Sequence, residues 1–137
     1  MSDRQPSHRT LRSIGAMFAG LVAIFVLSLS TDEVLHLSGV FPAWGQPMSD
    51  AAFLLATVYR TVYAVAGCYL AARLAPRRPM RHALILGVVG LVLSTAGAAG
   101  TWNRGLGPHW YPLALIATAL PCAWVGGWLR ERQVSAE

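Results

Sequence analysis

Four long apolar runs, set between short arginine-bearing links, constrain this chain more than any other feature. They occupy residues 13–31, 51–72, 82–100 and 111–129. Each approaches the roughly 20 residues needed to cross about 30 Å of hydrocarbon at about 1.5 Å per residue. Backbone N–H and C=O groups in lipid have no water to bond, so each run is expected to be an α-helix. The expected fold class is all-α: an integral membrane four-helix bundle forming a single transmembrane domain over residues 1–137.

Composition supports this class. Charged residues make up 12% of the chain and hydrophobic residues 55%, with a mean hydropathy of +0.48. Soluble chains carry about a quarter charged residues, so this one could not clothe a water-facing surface. The net charge of +5 comes from eleven basic residues, all arginine. They cluster beside the apolar runs, which points to a lipid bilayer as partner and away from nucleic acid.

The distribution of arginine sets the expected orientation. Arg4, Arg9 and Arg12 precede the first span, Arg73, Arg77, Arg78 and Arg81 surround the second link, and Arg130 and Arg132 follow the fourth span. The other two links hold only Arg104. The positive-inside rule then puts both termini and the second link in the cytoplasm. Phe41, Trp44, Trp102, Trp110 and Tyr111 gather at the opposite boundary and Trp128 sits beside Arg130, as interfacial aromatics do. A competing reading takes the first run as a signal peptide cut near Ser28-Leu29-Ser30. The run is long for that role, and cleavage would remove one helix of the bundle.

A parallel repeat of two helical hairpins is also legible. Gly39, Pro42 and Trp44 match Gly105, Pro108 and Trp110 as G-x-x-P-x-W. Gly67, Tyr69, Leu70 and Arg73 match Gly126, Trp128, Leu129 and Arg132 as G-x-aromatic-L-x-x-R. The competing account is convergence, since hairpins use Gly and Pro at turns and Trp at interfaces.

Arg60 is the most informative residue, because it lies inside the second span. An arginine near the bilayer centre costs at least about 2.5 kcal/mol, so it is expected to find a partner or to snorkel outward. Asp32 and Glu33 at the outer end of the first span are the candidate partners, and His36 shares a face with either. Counted from the flanking arginines, Asp32 stands about 30 Å up and Arg60 about 20 Å, so tilt or upward reach is required. Ser28, Thr57, Thr61, Ser94, Thr95 and Thr118 fall near the level of Arg60, about 18–24 Å up. Arg60, Asp32, Glu33, His36, Thr57 and Thr61 therefore form the candidate ligand site, a polar cleft open to the far side. The plainer reading is that the ion pair locks two helices and that the hydroxyls bond their own backbone.

No catalytic constellation or cofactor motif is present, and an enzyme is not the favoured reading. Glu33 and His36 form one E-x-x-H where a di-iron bundle needs two. His36, His109, Asp32, Glu33 and Asp50 show no dependable metal spacing. Cys68 and Cys122 read as small core residues. Gly90, Ser94, Gly97 and Gly100, with Gly126 and Gly127, are expected to let other backbones approach closely, within the chain or at an oligomer seam. Pro121 would kink the fourth helix near Ala117.

The strings WGQPMSD, YRTVYAVAGCYLAARLAP, RPMRHALILG and GPHWYPLAL resemble those of small uncharacterised four-helix membrane proteins of bacteria. The resemblance covers residues 13–130 and implies a bacterial inner-membrane setting without any catalytic residue. Small multidrug transporters share the span count but place a carboxylate well inside the first helix, where this chain has none before Asp32. The favoured expectation is a non-enzymatic structural, accessory or binding subunit, self-associating or joined to a membrane partner. The alternative is a small transporter or solute- and anion-binding protein built around Arg60.

Overall fold

The structure is a computed structural model that describes residues 4–105 and 107–136, with side chains from His8 onward. The Arg4 side chain and Leu106, within the second G-x-x-P-x-W copy, lie outside the described residues. Four α-helices make up the fold: α1 (Arg4–Leu37), α2 (Asp50–Leu74), α3 (Pro79–Thr101) and α4 (Trp110–Ala136). Each is long and apolar enough to cross a membrane. All four spans read from the sequence fall inside these helices. The helices run past the apolar runs because a helix does not stop where lipid does, and α1 continues unbroken through Ser28-Leu29-Ser30.

Local chemistry sets the helix ends. Ser49 caps α2 by accepting a hydrogen bond from the Ala52 N–H at 3.2 Å, and Asp50 places a negative charge in the first turn. The link to α3 is short because Pro79 starts the new helix with its φ already set. Arg78 takes the strain of that turn, in the left-handed region at φ 50°. In the longer loops the left-handed positions fall to Gly39, Gly45 and Gly105, of which Gly39 and Gly105 occupy equivalent places in the two G-x-x-P-x-W patterns.

Packing follows the order α1, α2, α4, α3 around the bundle. α2 is the hub and touches the other three helices. α1 and α4 make no contact, and α1 meets α3 only sparsely, so a gap opens between α1 and α3. The interior is built from small residues: Ala16, Cys68, Ala71, Ala72, Ala83, Cys122 and Ala123 are buried, with no large side chain fully buried among the described residues. Phe18, Phe25, Leu29, Leu54 and Val92 point outward. Such an inside-out distribution suits lipid, where apolar surface costs nothing and backbones associate by close packing.

The glycines divide into two groups. A Cβ at Gly126 would lie 2.8 Å from the Val65 carbonyl oxygen and 2.7 Å from the Tyr69 amide, so α4 needs glycine where it crosses α2. Gly127 likewise lies against Met80 and Ala83 of α3. Close approach at Gly126 and Gly127 thus agrees with the sequence reading. Gly90, Gly97 and Gly100 make no such approach within the chain: a Cβ there would meet nothing within 4 Å. The close crossings of α1 and α3 sit nearer the other end, at Gly20 against Gly67 and at Gly87 against Ala123.

Candidate functional site

Arg60 and Asp32 come together as an ion pair between α2 and α1. The Arg60 Nη2 donates to Asp32 Oδ2, and the Tyr59 hydroxyl donates to Asp32 Oδ1. Asp32 is thereby held on both oxygens, as a carboxylate shielded from water must be. One turn away the Thr31 hydroxyl donates to the Leu27 carbonyl at 2.8 Å, so the 2.7 Å bond between Thr31 and Tyr63 is donated by the Tyr63 hydroxyl. Two tyrosines and one arginine of α2 therefore fasten two successive residues of α1.

The depth mismatch read from the sequence resolves in the register. Gly20 lies against Gly67 and Ala71, and Asp32 against Tyr59 and Arg60. In this antiparallel pairing Phe18, not Arg12, stands level with Arg73. From Phe18 to Asp32 is about 21 Å and from Arg73 to Arg60 about 20 Å, so the partners share a level in this register. α1 extends below the end of α2, and the count from Arg12 was too long by about 9 Å.

Beside the pair a cleft of about 210 Å³ opens at the α1–α3 gap. Its walls are mostly apolar, with Ile24, Leu86, Leu93 and Leu115 prominent, but every helix adds one or more polar groups: Ser28, Arg60, Thr61, Ser94 and Thr118. Thr61 and Thr118 donate to carbonyls of their own helices, Thr57 at 2.7 Å and Ala114 at 2.9 Å, which leaves their oxygen lone pairs toward the cleft. Ser28 is buried, and neither it nor Ser94 makes a hydrogen bond among the described residues. The Arg60 Nε–H is also buried without an acceptor. Buried donors normally find partners, so the unmet Nε–H of a residue on the cleft wall, beside the free hydroxyls of Ser28 and Ser94, is a feature in need of explanation.

The expected site is thus gathered in part. Arg60 and Asp32 pair, Thr61 lines the same cleft as Arg60, and the hydroxyl layer extends to Ser28, Ser94 and Thr118. Glu33 is exposed and outside the ion pair. It follows Asp32 by about 100° on the helix, which turns it away from α2. His36 serves the loop: its ring donates from Nδ1 to the Pro42 carbonyl at 2.6 Å and stacks on Trp44 at 3.7 Å. Thr57 bonds the Phe53 carbonyl at 2.9 Å and does not line the cleft. His109 stacks on Trp102 at 4.0 Å. Among the described residues no three His, Cys, Asp or Glu side chains converge as metal ligands would. Tyr59 and Tyr63 were missed. Their signal was present, since a tyrosine deep in a span needs a partner for its hydroxyl.

Fold and site define a class: a small four-helix protein whose helices are long and apolar enough to span a membrane, with an interhelical ion pair beside a mostly apolar cleft. Compared with known proteins, the chain matches no family model, no curated protein and no solved structure.

Proposed function

We propose that this protein binds a small amphipathic solute in the cleft beside Arg60, with the solute's oxygen-bearing head on the Arg60 guanidinium and the Ser28 and Ser94 hydroxyls, and that it acts as a non-enzymatic binding protein or carrier. The observation that carries this reading is that Arg60, whose Nε–H has no acceptor, lines one mostly apolar cavity together with the unbonded hydroxyls of Ser28 and Ser94. Ligand sites have that make-up, with apolar walls and a few convergent polar groups that fix orientation. An acceptor head is called for because Arg60 has only donors and a hydroxyl can always donate.

The setting we infer is a bacterial inner membrane with both termini in the cytoplasm. The exposed Arg9, Arg12, Arg73, Arg77, Arg78, Arg81 and Arg132 at one end of the bundle support it, against Arg104 at the other. The paired positive-φ glycines Gly39 and Gly105, and the buried Gly67 and Gly126, support a duplicated hairpin. With this orientation the site lies in the periplasmic half.

The test uses benzoate, benzamide and benzylammonium, which share an apolar body and differ in the head. Protein in nanodiscs is titrated with each and released gently for native mass spectrometry. Benzoate is expected to be retained one-to-one, benzamide more weakly and benzylammonium not at all. The double variant Asp32→Leu/Arg60→Leu removes the pair without orphaning a charge. It is expected to fold yet bind benzoate at least about tenfold more weakly, since a hydrogen bond to a charged group contributes about 1.5–3 kcal/mol. Equal binding of all three probes, or unchanged binding by the double variant, would refute the site.

The second reading, a structural or accessory subunit, draws on the ion pair itself, which ties α1 to α2. It predicts that no probe is retained and that the double variant loses assembly with itself or a partner.

A further inference from the structure

We propose that the Arg60 cleft is reached from the loop end of the bundle, the end bearing Trp44 and Trp110, through a second cleft that meets the first at Ser94 and Leu115. The identity of the solute depends on the binding reading above, whereas the path stands on separate geometry. The second cleft has a volume of about 310 Å³ and lies between the outer halves of α3 and α4 and the start of α2. Ser94 and Leu115 line both clefts, so the two cavities adjoin at these side chains.

The face of α3 that joins them is bare. Gly90, Ser94, Gly97, Ala98 and Thr101 recur at helical spacing along the two clefts. Glycine is the poorest helix former after proline. At Gly20, Gly67 and Gly126 close helix contact explains its presence, but at Gly90 and Gly97 there is only open space. What Gly90 and Gly97 supply is volume. Small residues alone would not make a route; the buried Ser28, whose hydroxyl makes no hydrogen bond among the described residues and which lines the first cleft, gives the route a polar destination.

The loop end also suits a hydrated solute. The stacked Trp102 and His109 rings flank the mouth, where the His109 Nε2–H donates to the Trp102 carbonyl at 3.0 Å. Phe53 and Tyr111 face them with ring centroids 5.0 Å apart. The other opening, at the α1–α3 gap, lies between Phe25 and Leu93 at lipid depth. A polar head crossing there would first have to shed its water, at a cost the loop end avoids.

Cysteine accessibility tests the path without reference to any ligand. In a Cys68→Ala/Cys122→Ala background, Ser94→Cys and the lipid-facing Val92→Cys are reacted in nanodiscs with an anionic, membrane-impermeant thiosulfonate. The reactive thiolate forms only where water reaches it, so Ser94→Cys is expected to label at least about tenfold faster than Val92→Cys. Adding Gly97→Trp, which fills the second cleft, is expected to slow that labelling by a similar factor. Gly90→Cys repeats the measurement one turn deeper, covering the case in which Ser94→Cys does not fold. Equal labelling of positions 94 and 92, or labelling indifferent to Gly97→Trp, overturns the path. If labelling follows this pattern but benzoate is not retained, the path stands and the binding reading falls.

Discussion

Asp32→Leu destabilises the folded protein by about 2–3 kcal/mol, and adding Arg60→Leu restores most of the loss. The single substitution leaves Arg60 in the bundle without its counter-ion and takes the acceptor from Tyr59. Breaking a fully buried pair costs about 3–5 kcal/mol because the abandoned charge remains desolvated. The smaller figure applies here because 31% of the Arg60 side chain is accessible, which lets part of the charge be relieved. Apolar replacement of both partners removes the desolvated charge altogether and is often neutral. Reversible unfolding in mixed detergent micelles, read as a double-mutant cycle, reports the coupling. A double variant as unstable as the Asp32 single would show that the pair is not the source of the effect.

Gly67→Leu is the second large effect, expected to cost about 3 kcal/mol or more, at the upper end of overpacking penalties. A Cβ on Gly67 would clash with Ile24 Cγ1 and lie 2.7 Å from the Gly20 carbonyl oxygen. A side chain can change rotamer, but a backbone carbonyl cannot, so α1 and α2 must separate. Separation also pulls Asp32 away from Tyr59 and Arg60, which lie farther along the same interface. Gly90→Ala is the control, since it meets open space and gains helix propensity. Thermal unfolding of both variants in one detergent decides the matter. If Gly67→Leu unfolds like the parent, the close crossing does not hold the bundle.

The number and placement of the helices were legible because lipid imposes one requirement on every residue in a run, and a run of 20 residues averages out exceptions. Arg60 was legible for the complementary reason: a charge in such a run needs an answer nearby. The choice of Asp32 over Glu33 was not, since adjacent residues differ only by rotation about the helix axis. That rotation is fixed by where Gly20 meets Gly67, a contact between glycines far apart in sequence. The same crossing sets the register that the count from Arg12 misjudged. Glycine spacing also could not say which glycines are packed and which are open. Gly126 and Gly97 look alike in sequence, but one is covered by α2 and the other faces a cavity. Tyr59 and Tyr63 were hidden because apolar runs tolerate tyrosine at their edges, and only their depth in α2 marks them as bonded.

During synthesis Asp32 is made 28 residues ahead of Arg60. At about 5–20 residues per second the arginine follows within about 1–6 s. Until it arrives, the Asp32 carboxylate near the far end of α1 has no counter-charge, and α2 on its own would carry a lone guanidinium toward the membrane. Neither helix is a comfortable passenger by itself, whereas in the hairpin Asp32 and Arg60 neutralise each other. The first two helices are therefore suited to enter the bilayer together, with each charge serving as the other's escort.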